Sequence, residues 1–159
     1  MQMRISWAKQ DDAAALIPLL TALHLHDVGG ASSPEPDAVL SHARILIDPT
    51  TPHRLAVAWN QQGMAIGLAA VGRFVSISDL RPKNSLQLEL KELFVLPQVR
   101  GQKVGATLFD WIVNQAGEQG VCRIDWHVKR QNHRGIEFYE RLGGRIVDDR
   151  LSMRKWVNA

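Results

Sequence analysis

The chain has 159 residues, of which 45% are hydrophobic and 22% charged, and its formal net charge at pH 7 is +3. This length and composition can bury one apolar core, so we expect a single domain over residues 1–159. One cysteine excludes a disulfide within the chain, and no apolar stretch is long enough to span a bilayer. These features favour a cytoplasmic protein with no membrane partner.

The basic excess is small, with 19 Lys and Arg residues against 16 Asp and Glu residues. It suits an anionic ligand, but Lys129, Arg130 and Arg134 form a short cluster rather than the basic stripe of a nucleic-acid-binding protein. We therefore expect no nucleic-acid partner. Cys122 lies in the apolar run 121–124 and is expected to be a buried, inert thiol.

The first fifty residues predict a strand followed by two helices. Residues 3–7 alternate as a strand does, and Asp11 or Asp12 is placed to cap a helix with apolar residues at helical spacing. Pro18 conflicts with an uninterrupted first helix. Pro36 suits the first turn of the second helix.

The remainder of the chain alternates between the periods of strands and helices. We expect strands at residues 54–59, 64–75, 86–96 and 121–128, helices at 105–119 and 132–142, and short strands at 145–147 and 151–157. This order predicts an α/β (α+β) fold, in which a mixed sheet carries helices on both faces.

The strand at residues 86–96 changes phase part of the way along. Its apolar residues alternate as far as Leu90 and then continue one position out of step at Leu93 and Val95. One inserted residue produces this change, so we expect a β-bulge between Leu90 and Leu96. A strand covered on both faces would show the same pattern without a bulge.

A glycine-bearing turn, residues 99–106 (VRGQKVGA), joins this strand to the next helix. The unpaired N–H groups at the start of a helix predict an anion site there. The turn lacks both the spaced glycines of a dinucleotide fold and the lysine–serine pair of an ATP-binding loop. The alternative is that Arg100 and Lys103 are solvated residues at an ordinary helix start.

Residues 93–106 (LFVLPQVRGQKVGA) resemble the coenzyme A motif of the GNAT superfamily of N-acetyltransferases. Residues 132–144 (NHRGIEFYERLGG) resemble the later motif of the same family, an asparagine followed by Phe-Tyr and then Gly. The resemblance implies a GNAT-like, mostly antiparallel sheet with a splayed central pair of parallel strands, which correspond to residues 86–96 and 121–128. Lys103 departs from the family pattern, because it stands where a glycine is usual; it could obstruct the coenzyme or bind one of its phosphates.

The resemblance also implies acetyl-CoA as cosubstrate and no metal. The pantetheine arm would lie between the two parallel strands, and the turn would bind the pyrophosphate through its amides. We expect the main chain of the strand end to contact the arm and Asn132 to hydrogen-bond it. The implied coenzyme-binding residues are Phe94, Val95, Leu96, Val99, Arg100, Gly101, Gln102, Lys103, Val104, Gly105, Ala106 and Asn132.

Two catalytic residues are implied by position within the family motifs. Tyr139 corresponds to the acid that protonates the leaving thiolate; the alternative is a core tyrosine with a satisfied hydroxyl. Glu92 corresponds to an acidic residue of enzymes that acetylate small amines, and is our candidate base. Glu89 and His127 are the other candidates, and each glutamate is equally well explained as a surface residue.

The expected function is transfer of an acetyl group to a primary amine of a small molecule, by direct attack in a ternary complex. The acidic residues between Asp27 and Asp37 are expected to border the acceptor site. A protein or peptide N-acetyltransferase of the same fold is one alternative, and a non-catalytic acyl-CoA-binding regulatory module is another. Dimers are common in the family, so a homodimer is one possible oligomeric state.

Overall fold

A computed structural model describes residues 2–30, 32–81, 85–149 and 151–157. The chain divides into two compact units, residues 1–127 and residues 128–159. Among the helices of the described ranges, none combines the length and the hydropathy needed to cross a membrane.

The first unit is built on a mixed sheet, which has five strands in the described residues, in the order β1-β2-β3-β4-β5. Neighbouring strands pair antiparallel from β1 to β4, and β5 pairs parallel to β4. The prediction of a mostly antiparallel sheet with one parallel pair is therefore confirmed. The strands are β1 (Arg4–Trp7), β2 (His53–Trp59), β3 (Ala65–Val75), β4 (Leu86–Val95) and β5 (Arg123–Trp126).

Helices cover both faces of this sheet. On one face, α1 (Ile17–Asp27) and α2 (Pro36–Leu46) enclose an apolar core that includes the side chain of Leu68 on β3. On the other face, α3 (Val104–Glu118) packs so close to the adjacent Gly67 that an added Cβ would lie 3.1 Å from Leu108 Cδ1. Since neighbouring residues of a strand point to opposite faces, the predicted layering is confirmed.

The conflict posed by Pro18 is resolved by where the first helix begins. Short 3₁₀ turns at Gln10–Asp12 and Ala14–Leu16 precede α1, so Pro18 falls in the first turn, where its missing N–H has no partner to lose. The prediction that Asp11 or Asp12 caps α1 is wrong. Asp12 instead accepts a hydrogen bond from the backbone N–H of Lys9 at 2.7 Å.

The bulge predicted on β4 is present. Leu90 pairs with Val71 of β3 and Glu92 pairs with Ala70, so Lys91 is the inserted residue. On the other edge of β4, pairing with β5 is confined to residues 87–90. Beyond the bulge, β4 therefore continues to Val95 without a β5 partner among the described residues, because β5 ends at Trp126, opposite Leu90.

The second unit contains α4 (His133–Arg141), which ends before Gly143 with φ +86°. The predicted strands at residues 145–147 and 151–157 are wrong, because the described residues 145–149 and 151–157 form neither helix nor strand. Their apolar side chains are exposed, Leu151 at 91% and Met153 at 93%. Alternating apolar residues favour a strand, but a strand also requires a paired edge.

Candidate functional site

The last residues of β4 present a row of main-chain groups to the side away from β3. The amide of Leu96 donates to Ile66 O at 3.0 Å, so this pair of residues is hydrogen-bonded between the β3 and β4 segments. Bridging pairs alternate along an antiparallel ladder, which places the N–H and C=O of Leu93 and Val95 on the opposite side. Phe94, Val95 and Leu96 were predicted to act through their main chain. Of these, Val95 has an N–H and a C=O that do not pair with β3.

The turn after β4 supplies backbone donors. The amides of Gly101, Lys103, Val104, Gly105 and Ala106 donate to no acceptor within the described part of the chain. The first hydrogen bond of α3 is made by Thr107, whose N–H donates to Lys103 O at 2.9 Å. These donors lie at the positive end of a 15-residue helix, which is a favourable place for a phosphate group.

Arg100 connects this turn to the end of β4. Its Nε donates to Val95 O at 3.0 Å, and its Cζ lies 5.6 Å from the centroid of the Phe94 ring. The guanidinium is therefore held beside the free edge of β4, with its other N–H groups available to an anion.

Lys103 is the one residue other than glycine with positive φ in the described ranges, at φ 64° and ψ 8°. This left-handed conformation is one that glycine adopts without steric cost. The left-handed conformation at this position explains why the family pattern has a glycine where this chain has Lys103. The turn keeps this geometry with lysine in place, two residues after Gly101 at φ +78°.

Glu92 lies half-buried on β4, directly after the bulge. Its carboxylate accepts the N–H of Leu93 at 3.1 Å. Burial raises the pKa of Glu92, and the nearby charge of Asp27 raises it further, whereas the Leu93 amide and the charge of His26 act in the opposite direction. Such a carboxylate is better suited to accept a proton near neutral pH than one with an ordinary pKa.

The end of α1 supplies the residues that face Glu92. His26 packs edge-on against Phe94 with ring centroids 5.6 Å apart, and its Nδ1 lies 3.4 Å from Asp27 Oδ1. Asp27 was predicted to border the acceptor site, whereas His26 was not predicted to lie there. The sequence pattern contains no signal for a contact between α1 and β4.

The other two candidate bases occupy a different part of the sheet. Glu89 forms an ion pair with Lys91 at 2.8 Å, and His127 Nδ1 lies 3.9 Å from the same carboxylate. The His127 side chain is 77% exposed. These contacts are typical of a surface ion-pair cluster. Of the three candidate bases, Glu92 is therefore the half-buried carboxylate beside α1.

In the second unit, Asn132 caps α4, and its Oδ1 accepts the N–H of Gly135 at 3.0 Å. The Nδ2 group remains as the donor that Asn132 can offer to a ligand. Tyr139 is half-buried on α4, and its ring lies edge-on to Phe138 with centroids 5.0 Å apart.

The prediction of a buried thiol at Cys122 is wrong. Cys122 is exposed and precedes β5, and its backbone N–H donates to Leu86 O at 2.9 Å. The apolar neighbours that suggested burial do not all point inward at a strand end. No group of three or more His, Cys, Asp and Glu side chains in the described residues is arranged to hold a metal ion.

Comparison with known proteins gives these features a family context. The model of the Acetyltransferase (GNAT) family matches residues 20–144. The chain is 29% identical over 145 residues to a mycothiol acetyltransferase of Propionibacterium freudenreichii subsp. shermanii, a match covering 91% of this chain and 44% of that protein. It is 33% identical over 101 residues to an aminoalkylphosphonate N-acetyltransferase of Salmonella typhimurium, covering 62% of this chain and 59% of that protein.

The chain thus spans about half the length of these curated relatives. Among solved structures, an integron cassette protein from the mobile metagenome of V. cholerae superimposes with a TM-score of 0.88. That match covers 99% of this chain and 94% of the other at 19% sequence identity. The two proteins share their fold.

Proposed function

The chain belongs to the GNAT acetyltransferase family, and from that premise we propose that it transfers an acetyl group from acetyl-CoA to a primary amine of a small molecule. One arrangement carries this proposal. Within residues 92–106, a half-buried carboxylate with raised pKa, a free main-chain edge and a set of unpaired amides follow one another at the end of β4.

The donor substrate would bind along this arrangement. The unpaired amides of the turn, with Arg100 beside them, fit the pyrophosphate of acetyl-CoA in charge and hydrogen bonding. The pantetheine amides would pair with the Leu93 C=O and the Val95 N–H, as an added strand does, because the Leu93 N–H donates to Glu92 and the Val95 C=O accepts from Arg100. Asn132 is proposed to donate to the same arm through its Nδ2.

The acceptor side is acidic. Asp27 and Glu92 together would attract the ammonium form of an amine, and Glu92 would then take its proton, directly or through a water molecule. The neutral nitrogen attacks the thioester carbon, and a main-chain N–H of β4 stabilises the negative oxygen of the tetrahedral intermediate. The carbon–sulfur bond then breaks, and Tyr139 is proposed to protonate the departing thiolate.

Two relatives support a small acceptor, since they are named for mycothiol and for aminoalkylphosphonates. The acidic pair favours a cationic acceptor, such as a diamine, over one that carries a phosphonate. A protein N-terminus is the competing acceptor of the same chemistry.

The proposal is tested by thiol release from acetyl-CoA in the presence of separate amines. The panel contains a diamine, an aminoalkylphosphonate and a peptide with a free N-terminus, and products are identified by mass spectrometry. We expect turnover with small amines and the highest kcat/KM for the diamine. Preference for the peptide would overturn the small-molecule assignment, and tight CoA binding without any thiol release would indicate a non-catalytic module.

Direct attack in a ternary complex is tested separately from the acceptor. Initial rates at several concentrations of both substrates should give intersecting lines, whereas a covalent acetyl-enzyme gives parallel ones. Because Cys122 is the one cysteine of the chain, Cys122→Ser should retain activity. Loss of activity in that variant together with parallel lines would overturn direct attack.

A further inference from the structure

A second concave site lies in the first unit, at the end of the sheet opposite the acetyl-transfer site. It is a cavity of about 470 Å³ between the start of β2, the end of β3 and the last turns of α3. This volume is within the usual range for small-molecule sites. Leu88 of β4 lines it, and Val95 is seven residues further along that strand, or roughly 20 Å away.

The charged side chains in the cavity wall are mostly basic. Lys9, Arg54 and Arg73 contribute positive charge, and Asp48 contributes negative charge. None of the three basic residues has a carboxylate within 4.0 Å in the described residues. The Asp48 carboxylate accepts hydrogen bonds from Thr50, which lower its pKa and keep it ionised, so three cations and one carboxylate leave the lining with a net charge of +2.

Of these cations, Arg54 makes a stacking contact with an aromatic ring of the cavity lining. Its guanidinium stacks over Trp7, with Cζ 4.0 Å from the ring centroid. Trp7 is itself fixed by an edge contact with Trp111, at 4.9 Å between centroids, and by a hydrogen bond from its Nε1 to Gln115 Oε1 at 3.3 Å. A stacked guanidinium presents its N–H groups in a fixed plane, which matches the paired oxygens of a carboxylate or phosphate.

Aliphatic side chains line the cavity on the same side of the sheet as the two arginines. Val71 pairs with Arg54 and Leu88 pairs with Arg73 across the strands, so each aliphatic side chain lies on the same face as its arginine. Ile112 of α3 completes this apolar part of the lining.

We propose that this cavity binds a small organic oxyanion, a carboxylate or a phosphate monoester attached to an apolar group. The oxyanion contacts Arg54 and Arg73, and the apolar group packs against the aliphatic wall. The site is distinct from the turn at residues 101–106, because the cavity is lined by the opposite end of α3.

The test uses phenyl phosphate and benzoate as probes of the full-length ¹⁵N-labelled protein. The indole N–H signal of Trp7, assigned by its loss in Trp7→Phe, reports on this cavity and not on the distant turn. We expect it to shift saturably with at least one probe. The neutral analogue benzyl alcohol, at equal concentration, should leave it in place.

Two variants and a matched control complete the experiment. Arg54→Met and Arg73→Met should each weaken binding at least tenfold; Arg73 is exposed, so its replacement leaves the fold intact. Arg4→Met is the control, because Arg4 also stacks on a tryptophan, Trp59, at 5.5 Å, but does not line the cavity. An unmoved Trp7 signal, or equal affinity in Arg54→Met, Arg73→Met and Arg4→Met, would overturn the proposal.

Discussion

The negative charge of Asp27, at the end of α1, raises the pKa of Glu92 on β4 beyond the effect of burial. Two elements far apart in sequence thus bring two carboxylates to one site. A carboxylate with raised pKa accepts a proton from an ammonium group more readily than an ordinary one. The pair therefore links charge attraction for the acceptor to the removal of its proton.

Glu92→Gln should lower kcat/KM by about 10²- to 10⁴-fold, because the amide cannot accept the proton. Asp27→Asn should raise the KM for the amine, because it removes half of the acidic pair, and should shift the acidic limb of the pH–kcat profile to lower pH, since it removes a charge that raises the Glu92 pKa. Steady-state rates across pH measure both effects. Glu89→Gln, which removes the ion pair with Lys91, is the control and should leave the profile unchanged.

Glu92→Gln should also raise the thermal stability of the protein at neutral pH. The pKa of Glu92 is higher in the folded protein than its ordinary value of 4.5, so Glu92 stabilises the folded state fully at a pH below 4.5. This stabilisation is lost as the pH rises through the folded-state pKa. Glu92→Gln removes that loss, so its gain in Tm over the native chain should be larger at pH 7 than at pH 4. An equal gain at both values would show that Glu92 is not penalised by its surroundings.

Lys103→Gly should stabilise the protein by about 1 kcal/mol, because φ 64° is costly for lysine and free of steric cost for glycine. Urea unfolding measures the change. Lys103→Ala serves as control, since alanine meets the same backbone strain without the charge. The affinity for CoA should change by less than about tenfold, because the other donors of the turn belong to the main chain; a larger loss in both variants would identify the ammonium as a phosphate contact.

Local sequence patterns were sufficient for the features that depend on neighbouring residues. The phase change after Leu90 located the bulge, because side-chain alternation is written directly in the sequence. The helix predicted at residues 132–142 was located for the same reason. The family motifs added the parallel pairing of β4 with β5.

Features that depend on distant contacts were missed or wrong. The approach of His26 to Phe94 joins a helix to a strand almost seventy residues later, and neither segment carries a sign of it. Ile146 and Val147 have high strand propensity, yet they are 70% and 66% exposed outside any strand, since propensity does not supply a pairing edge. Cellular location, oligomeric state and the extent of the domain stay predictions.

Tyr139→Phe should lower kcat by about 10²-fold or more and leave the Kd for CoA within error, if the phenol protonates the thiolate. The substitution keeps the ring, so the edge contact with Phe138 at 5.0 Å is preserved. Calorimetric titration with CoA and steady-state rates with the preferred amine separate the two quantities. Phe138→Leu is the control for packing; a similar fall in kcat in both variants, or none in Tyr139→Phe, would remove the phenol from its proposed role.

Gly135→Ala should leave the stability of the protein nearly unchanged, although alanine is the better helix former by about 1 kcal/mol. The reason is local, because a Cβ at Gly135 would lie 2.5 Å from Asn132 Nδ2 and would displace the side chain that caps α4. Loss of such a cap costs about 1 kcal/mol. Gly117→Ala on α3 is the matched control and should be stabilising, since an added Cβ there meets nothing within 4 Å.

The size of the Gly135 effect should depend on the cap itself. Once Asn132→Ala has removed the capping side chain, there is nothing left for the new Cβ to displace, and Gly135→Ala should then stabilise the protein as Gly117→Ala does. Urea unfolding of the two single variants and the double variant gives the coupling free energy directly. Additive effects would contradict the close approach between Asn132 and Gly135, whereas a stabilisation seen only in the Asn132→Ala background would attribute the glycine of this motif to the geometry of the cap.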